Sequence, residues 1–447
     1  MALAIDMTEG KEAGHILRFT LPLLVGNLLQ QTYNIADTMI VGRYLGDNAL
    51  AAVGATSSIT YLFYTLCLGL AIGAGIIIAQ FFGAHKTDKV KAAVFNSAVV
   101  ATVFGIVISV VSVLLTRNVL VFLKIPDGLI DMSVAYMRIA CGGTLAVVAY
   151  NWINAVMRSM GDSKTPLIFL GVASILNVVL DLLFVVVFHW GVQGAAAATV
   201  IAQGVSAATS ILYAFSKNKN IQLHRENLRL DRNIIVRCIK TGLPIAAQNG
   251  LISISMVAIQ SVTNTFGQNV MAAYTVSMRI EQFVQQPFAS LNAAASTFTG
   301  QNTGAGKRER VIKGLHVALK ISTIFAVIVM VLFFVFGEAL VGCFVKNEKV
   351  IYIGARALWM TSTCYVFLGM IHTIRGFLNG AGDTGYALAN GLAEVICRVG
   401  LSYTITKIAV IGYWGIWITT CITWFVTAMV SLIRYLQGKW KDKSFVK

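Results

Sequence analysis

The sequence predicts an all-α integral membrane protein with twelve transmembrane helices in two parallel six-helix lobes. Of its 447 residues, 57% are hydrophobic and only 12% are charged, whereas soluble domains carry about 25% charged residues. Many apolar runs are long enough to cross a hydrocarbon core roughly 30 Å thick. The second half of the chain also repeats motifs of the first half. The composition excludes a soluble protein, and the repeat predicts the two lobes.

Apolar runs separated by charged gaps define the predicted spans. Several are longer than the roughly 20 residues that a crossing needs, so we expect tilted or bent helices. The spans are 16–41, 49–82, 92–115, 133–157, 165–187, 191–215, 242–265, 270–299, 314–340, 351–374, 386–408 and 412–436.

The basic residues are concentrated in alternate gaps, on the side of the N-terminus. The positive-inside rule places that side in the cytoplasm, so we expect both termini to be cytoplasmic. Membrane topology therefore accounts for the net charge of +16, and we expect no nucleic-acid partner. The first apolar run is too long for a cleavable signal peptide and lacks a small-residue cleavage site.

The two halves share motifs at an offset of 221 residues, the distance from Gly161 to Gly382. Gly161-Asp-Ser163 corresponds to Gly382-Asp-Thr384, and the segment 80–86 corresponds to 301–307. Each half contains six spans, an even number, so both halves have the same membrane orientation. Parallel repeats of this kind are typical of transporters that alternate access to a cavity between two lobes.

This repeat predicts the domain organisation. We expect an N-lobe over residues 1–220, a cytoplasmic linker over 221–241 and a C-lobe over 242–447. The basic linker is explained most simply as a solvated connection, and a lipid-headgroup site is the alternative.

Span 1 has a polar face that a lipid-facing helix would not tolerate. Its members follow helical spacing and are Asn27, Gln30, Gln31, Asn34 and Asp37. Polar and ionisable groups inside a membrane are expensive and face a cavity or a partner. We therefore expect the four amides to line a substrate cavity and Asp37 to bind a cation or proton.

Spans 5 and 6 provide further oxygen ligands. Asn177 and Asp181 are four residues apart on span 5 and share a face, and Thr199 lies on span 6. With Asp37 they make a set of hard oxygens that suits Na⁺ or a shared proton. The alternatives are pairing of the carboxylates with a cationic side chain and a hydroxyl of Thr199 that only bonds its own backbone.

The second half is not a chemical copy of the first. Its candidate cavity residues are the charged Glu281, Glu394 and Arg398, and the repeat places Arg398 opposite Asn177. Glu394 and Arg398 are four residues apart, so they either neutralise each other or line a substrate cavity. The asymmetry predicts ion coupling in the N-lobe.

Motifs for enzymatic chemistry are not found in the sequence. The segment 304–307 (Gly-Ala-Gly-Lys) lacks the spacing of a P-loop, and Arg308 stands where Ser or Thr is required. Neither HExxH nor GxSxG is present. We expect no enzyme and no cofactor beyond a coupling ion.

Taken together, the motifs resemble the multidrug and toxic compound extrusion (MATE) family over nearly the whole chain. The segments that carry the resemblance are 21–22, 36–38, 80–86, 161–166, 177–181, 191–199, 301–307 and 380–384. The resemblance implies twelve helices in two lobes and export of organic cations, drugs or related toxic compounds by H⁺ or Na⁺ antiport. It also implies a multi-pass protein of the plasma membrane, which we expect to be a monomer.

Within this family the polar N-lobe residues resemble the DinF-like branch. That likeness implies a cation or proton site at Asp37, Asn177, Asp181 and Thr199. Pro22 resembles a family proline linked to bending of span 1. A flippase for lipid-linked oligosaccharides, of the same superfamily, is the alternative function; it would need cavity Arg and Lys residues for a diphosphate, whereas the N-lobe is rich in acids and amides.

Overall fold

The computed structural model describes residues 4–123, 125–223, 226 and 228–446. The described residues form helices and connecting turns, with no strand among them. Positions 224, 225 and 227 of the predicted linker lie outside the described residues.

Seven α-helices form the first half of the chain, and a π-helical turn, Leu182–Val187, follows the sixth. The helices are α1 (Glu12–Leu45), α2 (Asp47–Gly83), α3 (Thr87–Phe122), α4 (Asp127–Gly142), α5 (Thr144–Ser159), α6 (Lys164–Asp181) and α7 (Gly191–Lys217). Seven more form the second half: α8 (Arg232–Thr263), α9 (Gln268–Gly304), α10 (Arg308–Gly342), α11 (Glu348–Ser362), α12 (Tyr365–Gly380), α13 (Gly385–Ile405) and α14 (Gly415–Leu436).

These helices account for twelve membrane spans. Among the described residues, seven spans are each long and apolar enough to cross a membrane as a single segment. Two more spans are helix pairs, α4 with α5 and α11 with α12, which are bent by 43° and 51°. The remaining three spans are α1, α9 and α13, which are less apolar because they carry the polar and charged residues discussed above. The three least apolar spans therefore hold Asp37, Glu281 and the pair Glu394 and Arg398, whereas Asn177 and Asp181 lie on the apolar α6.

The chain divides into two units, and each unit includes a short segment from the other half of the chain. The first unit is formed mainly by Leu21–Ala246, and the second by Met7–Thr20 together with Ala247–Phe445. The sequence-based boundaries assign 7–20 to the N-lobe and 242–246 to the C-lobe, and they differ from this division in those two segments. Both crossings occur within long helices, in α1 beside Pro22 and in α8 just after Pro244. Proline removes a helix hydrogen bond and favours a kink.

Small residues explain why the start of α8 packs in the first unit. A Cβ atom added at Gly73 of α2 would lie 2.6 Å from Gly242 Cα, and one added at Gly69 would lie 2.4 Å from Ala246 N. Both helices thus present small residues four positions apart, the spacing that lets membrane helices approach at backbone distance.

The segment that precedes α1 is held by the C-terminal end of α9 and the loop after it, in the second unit. Met7 N donates to Gln301 Oε1 at 2.8 Å, Asn302 Nδ2 donates to Met7 O at 3.2 Å, and Lys307 Nζ donates to Thr8 O at 3.0 Å. Met7 and Thr8 are buried. The repeated segment 301–307 therefore serves here as a clamp for main-chain atoms.

Arg310, in the first turn of α10, completes this clamp. Its guanidinium donates to the carbonyls of Met7 at 3.2 Å and Glu9 at 3.0 Å, and to Glu12 Oε1 at 3.2 Å. The Arg310 and Glu12 side chains are only 15% and 25% exposed, so this pair is better shielded from water than a surface salt bridge.

Candidate functional site

Two aspartates from different helices meet inside the first unit. The carboxyl groups of Asp37, on α1, and Asp181, the last residue of α6, are within hydrogen-bonding reach of each other. Asp181 is fully buried, and no hydrogen-bond donor of the described residues reaches either of its oxygens or Asp37 Oδ1. Among the described residues, no Lys, Arg or His nitrogen lies within 4.0 Å of either carboxyl group.

Asn177 and Thr199 lie together beside this pair. Asn177 Nδ2 donates to Thr199 Oγ1 at 3.3 Å, and the Thr199 hydroxyl donates to Ala195 O at 3.2 Å. Asn177 Oδ1 is buried, and no donor in the described part of the chain reaches it. Asn177 and Asp181 share a face of α6, and the helix changes to a π-helical turn directly after Asp181. Such turns occur frequently at functional sites.

A small internal cavity of about 20 Å³ adjoins these residues. Its polar lining includes Gln30, Tyr33, Asn177, Thr199 and Gln203. A volume of this size holds about one water molecule or a dehydrated ion. Of the four amides predicted on span 1, only Gln30 lines this cavity; Asn27, Gln31 and Asn34 do not.

This cluster combines side-chain oxygens of the kind that cation and proton sites use. Two ionised carboxylates side by side, without a counter-ion, repel each other and are costly to bury. A shared proton or a bound cation removes both penalties. The buried oxygens of Asp181 and Asn177 that have no donor suit a hard monovalent cation, and they would hold it together with Asp37 and Thr199. The described residues contain no group of three or more His, Cys, Asp or Glu side chains able to hold a metal ion.

The charged residues of the second unit form a network that is largely self-neutralising. Arg398 Nη2 donates to Glu394 Oε1 at 3.0 Å, within α13. Arg375 of α12 lies 3.8 Å from Glu394 Oε2 and donates to Asn390 Oδ1 at 2.7 Å. The structure therefore brings Glu394 and Arg398 together and adds Arg375 to them. Glu281 of α9 is not part of this ion-pair network, and the Tyr365 hydroxyl donates to it at 3.4 Å.

Several residues of these clusters are missing from the sequence-based candidates. The predicted span ends at 374 and leaves Arg375 in a loop, whereas α12 continues to Gly380. Tyr33 and Gln203 line the cavity of the first unit. A helical-face analysis of span 1 could have found Tyr33, which is one turn before Asp37, but Gln203 needed the packing of α7.

The family model described as MatE matches residues 22–183 and 244–404, which is most of the chain and both halves of the repeat. The chain belongs to the MATE family. Among its curated relatives, the probable multidrug resistance proteins YpnP and YoeA of Bacillus subtilis are 28% and 27% identical. The alignments cover 98% and 96% of this chain, and 98% and 94% of those proteins. The probable multidrug resistance protein NorM of Thermotoga maritima is 23% identical over 96% of this chain and 93% of that protein.

Solved structures of MATE proteins have the same fold. A MATE crystal structure in a bent conformation matches with a TM-score of 0.90 at 24% identity, over 98% of each chain. An outward-facing MATE transporter of the MOP superfamily matches with a TM-score of 0.91 at 23% identity, also over 98% of each chain. The predicted class, an all-α membrane protein of twelve helices in two six-helix bundles, is thus confirmed, as is the expectation of a membrane transporter for small molecules and not an enzyme.

Proposed function

We propose that this MATE transporter exports organic cations, drugs or related toxic compounds in exchange for H⁺ or Na⁺. The observation that carries the proposal is the pair Asp37 and Asp181, two carboxyl groups within hydrogen-bonding reach of each other that have no cationic partner among the described residues. The names of the relatives, which include multidrug export proteins, support the substrate class. An exchanger needs a group that alternately holds and releases a cation, and this pair has the required chemistry.

The proposed cycle depends on charge at this pair. With a proton or Na⁺ bound, Asp37 and Asp181 stay together; after its release, their repulsion favours movement of α1 away from α6. Pro22 is in the interior of α1 and removes one of its backbone hydrogen bonds, so α1 bends at a low energetic cost. Ion binding in the first unit would thereby change the shape of the helix that carries the polar face.

The ion gradient supplies the free energy for this cycle. One charge moving across a membrane potential of 100 mV gains about 2.3 kcal/mol, and each tenfold concentration ratio adds about 1.4 kcal/mol. When one ion enters for one monovalent cation that leaves, the two electrical contributions cancel, and the concentration ratio of the ion drives export. The membrane potential contributes only when more positive charge enters than leaves. The protein would act as a monomer, because each cluster is complete within one chain. It would lie in the plasma membrane with both termini cytoplasmic.

The test is efflux of a fluorescent cationic dye from proteoliposomes, with Na⁺ and proton gradients imposed separately. Gradient-driven efflux should be lost in Asp37→Asn and Asp181→Asn. Asp131→Asn is the matched control, since that carboxylate is 86% exposed and only makes a long surface pair with Arg117 at 4.0 Å. The gradient that drives efflux identifies the coupling ion.

Two results would reject the proposal. Normal gradient-driven efflux in Asp37→Asn would mean that the first unit takes no part in ion coupling. Absence of dye movement under either gradient would favour the lipid-linked oligosaccharide flippase, for which a scrambling assay with a labelled lipid-linked substrate is the next measurement. The second unit gives that alternative little support, since Arg375 and Arg398 both contact Glu394 and are not free for a diphosphate.

A further inference from the structure

Glu281 on α9 is a buried carboxyl group outside the site described above. The residue is 5% exposed, and the Tyr365 hydroxyl donates to Oε1 at 3.4 Å, a long distance for a hydroxyl donor. Among the described residues, no Lys, Arg or His nitrogen comes within 4.0 Å of it. An ionised carboxylate buried in this way costs several kcal/mol, so this geometry suits the protonated acid.

The groups that face Glu281 are almost all neutral. Its titratable and charged neighbours are Tyr274 on its own helix, Tyr365 on α12, Arg398 on α13 and Cys421 on α14. Helices α8 and α11 contribute neutral side chains, Met256 and Thr361. Arg398 is therefore the one nearby cation in the described part of this pocket.

Arg398 is positioned between two carboxyl groups. It is bound to Glu394 at 3.0 Å, while it also lines, with Glu281, a cavity of about 20 Å³, which has room for about one water molecule. Within the described ranges, Arg398 Nε has no hydrogen-bond partner. Arg375 lies 3.8 Å from the other oxygen of Glu394, so Glu394 would keep a cationic partner if Arg398 turned away.

We propose that Glu281 is a second proton-binding site, at which a proton and Arg398 compete for the same carboxylate. With the proton bound, Arg398 stays on Glu394, as in this structure. When the proton leaves to the cavity water, the Glu281 carboxylate draws Arg398 across the cavity, and Arg375 holds Glu394. The two arginines and two glutamates then carry no net charge. The site lies wholly in the second unit and does not depend on the proposed antiport.

Infrared spectroscopy over a pH titration tests for the proton directly, on the full-length protein in lipid nanodiscs. The wild type should show the C=O stretch of a buried protonated carboxyl group that is lost in Glu281→Gln. The band should remain in the double variant Asp37→Asn with Asp181→Asn and in the exposed control Glu338→Gln. Its frequency should shift in Tyr365→Phe, which keeps the ring and removes only the hydroxyl donor.

Tryptophan fluorescence tests the movement of Arg398, because Trp417 and Trp424 line the same cavity. We expect a pH-dependent fluorescence change in the wild type that disappears in Glu281→Gln and in Arg398→Met. Glu281→Gln keeps an acceptor for the Tyr365 hydroxyl, so it should fold, and its thermal unfolding in the same samples verifies this.

In the background of Asp37→Asn with Asp181→Asn, a carboxyl band that survives Glu281→Gln overturns the inference, and so does a fluorescence transition that is unchanged in Glu281→Gln. Addition of Na⁺ at constant pH in the same background separates a proton from a metal ion: loss of the band with Na⁺ also contradicts the proposal. Dye efflux is measured independently. A protein that moves no dye but still titrates at Glu281 would count against the antiport alone.

Discussion

The aspartate of the repeated Gly-Asp motif has different partners in the two units, and we expect one substitution to have different effects at the two positions. Asp383 is 2% exposed and accepts two hydrogen bonds from Arg434, at 2.7 Å from Nε and 2.8 Å from Nη2. Asp162 has no ion pair among the described residues; its Oδ1 accepts from the backbone N–H groups of Lys164 and Thr165 at 3.1 and 3.0 Å.

Asp383→Asn should destabilise the protein by about 3 kcal/mol. Removing one partner of a buried pair typically costs roughly 3–5 kcal/mol, because the other charge stays buried without compensation. The Arg434 side chain is 21% exposed, so water partly compensates it and the effect falls at the lower end of that range. Asparagine keeps one acceptor but loses the charge and the two-pronged geometry.

Asp162→Asn should be close to neutral at pH 7, between no change and about 1 kcal/mol of stabilisation. Burial raises the pKa of the Asp162 carboxyl, and the bonds from Thr165 and Lys164 offset only part of that effect. The folded state thus binds the proton more tightly than the unfolded state. Its stabilisation is present below the unfolded pKa of 3.8 and is lost as the pH rises through the raised folded pKa. Asparagine keeps the Oδ1 acceptor and removes the buried charge.

Equilibrium unfolding in mixed micelles, followed by tryptophan fluorescence, measures both effects. The double-mutant cycle of Asp383→Asn with Arg434→Met isolates the pair, and its coupling energy should account for most of the loss. Equal destabilisation by the two aspartate substitutions would refute the reasoning, because it would indicate a shared role of the motif independent of these partners.

Three further predictions concern the helices and the N-terminal segment. Gly73→Val should abolish or strongly reduce the yield of folded protein, since its Cβ would lie 2.6 Å from the backbone of α8. The control Gly54→Val, on the same helix, should be tolerated because a Cβ there meets nothing within 4 Å. Size-exclusion chromatography measures the yield of both variants. Pro22→Ala restores a helix hydrogen bond worth about 1 kcal/mol and should slow dye efflux several-fold while leaving dye binding unchanged; unaltered efflux would exclude bending at this position. Arg310→Met removes the guanidinium bonds to Met7, Glu9 and Glu12 and should speed tryptic cleavage of the N-terminal segment at least several-fold, relative to the exposed control Lys313→Met. Equal cleavage rates would mean that the clamp does not depend on Arg310.

Much of the fold and of the first-unit cluster was predictable from sequence, because both depend on local periodicity. The apolar runs identify the spans, and helical spacing places Asn177 and Asp181 on one face. To predict the contact between Asp37 and Asp181, we also needed the expectation that polar side chains inside a helical bundle contact each other. The breaks that split two spans were harder to predict: at one, Gly143 lies against the side chain of Val200 on α7, which is a tertiary contact.

The exchange of segments between the units could not be predicted from periodicity. Residues 7–20 continue into span 1 without a sequence signal for a boundary, and their partners lie almost 300 positions away. Similarly, Arg375 follows an apolar run and resembles an ordinary helix end. Only its neighbours, Asn390 and Glu394, make it an interior residue. Long-range partners decide these cases, and a single sequence does not specify them.

The clamp on Met7 also imposes an order on biosynthesis. Met7 is synthesised well before its hydrogen-bond partner Gln301, which is 294 positions later in the chain. At a synthesis rate of about 5–20 residues per second, this partner emerges roughly 15–60 s after Met7. During that interval the N-terminal segment has no docking site, and a chain that stops before the second unit never acquires one. Exposure of this segment thus marks an unfinished chain, and its burial marks a chain whose synthesis has passed α9.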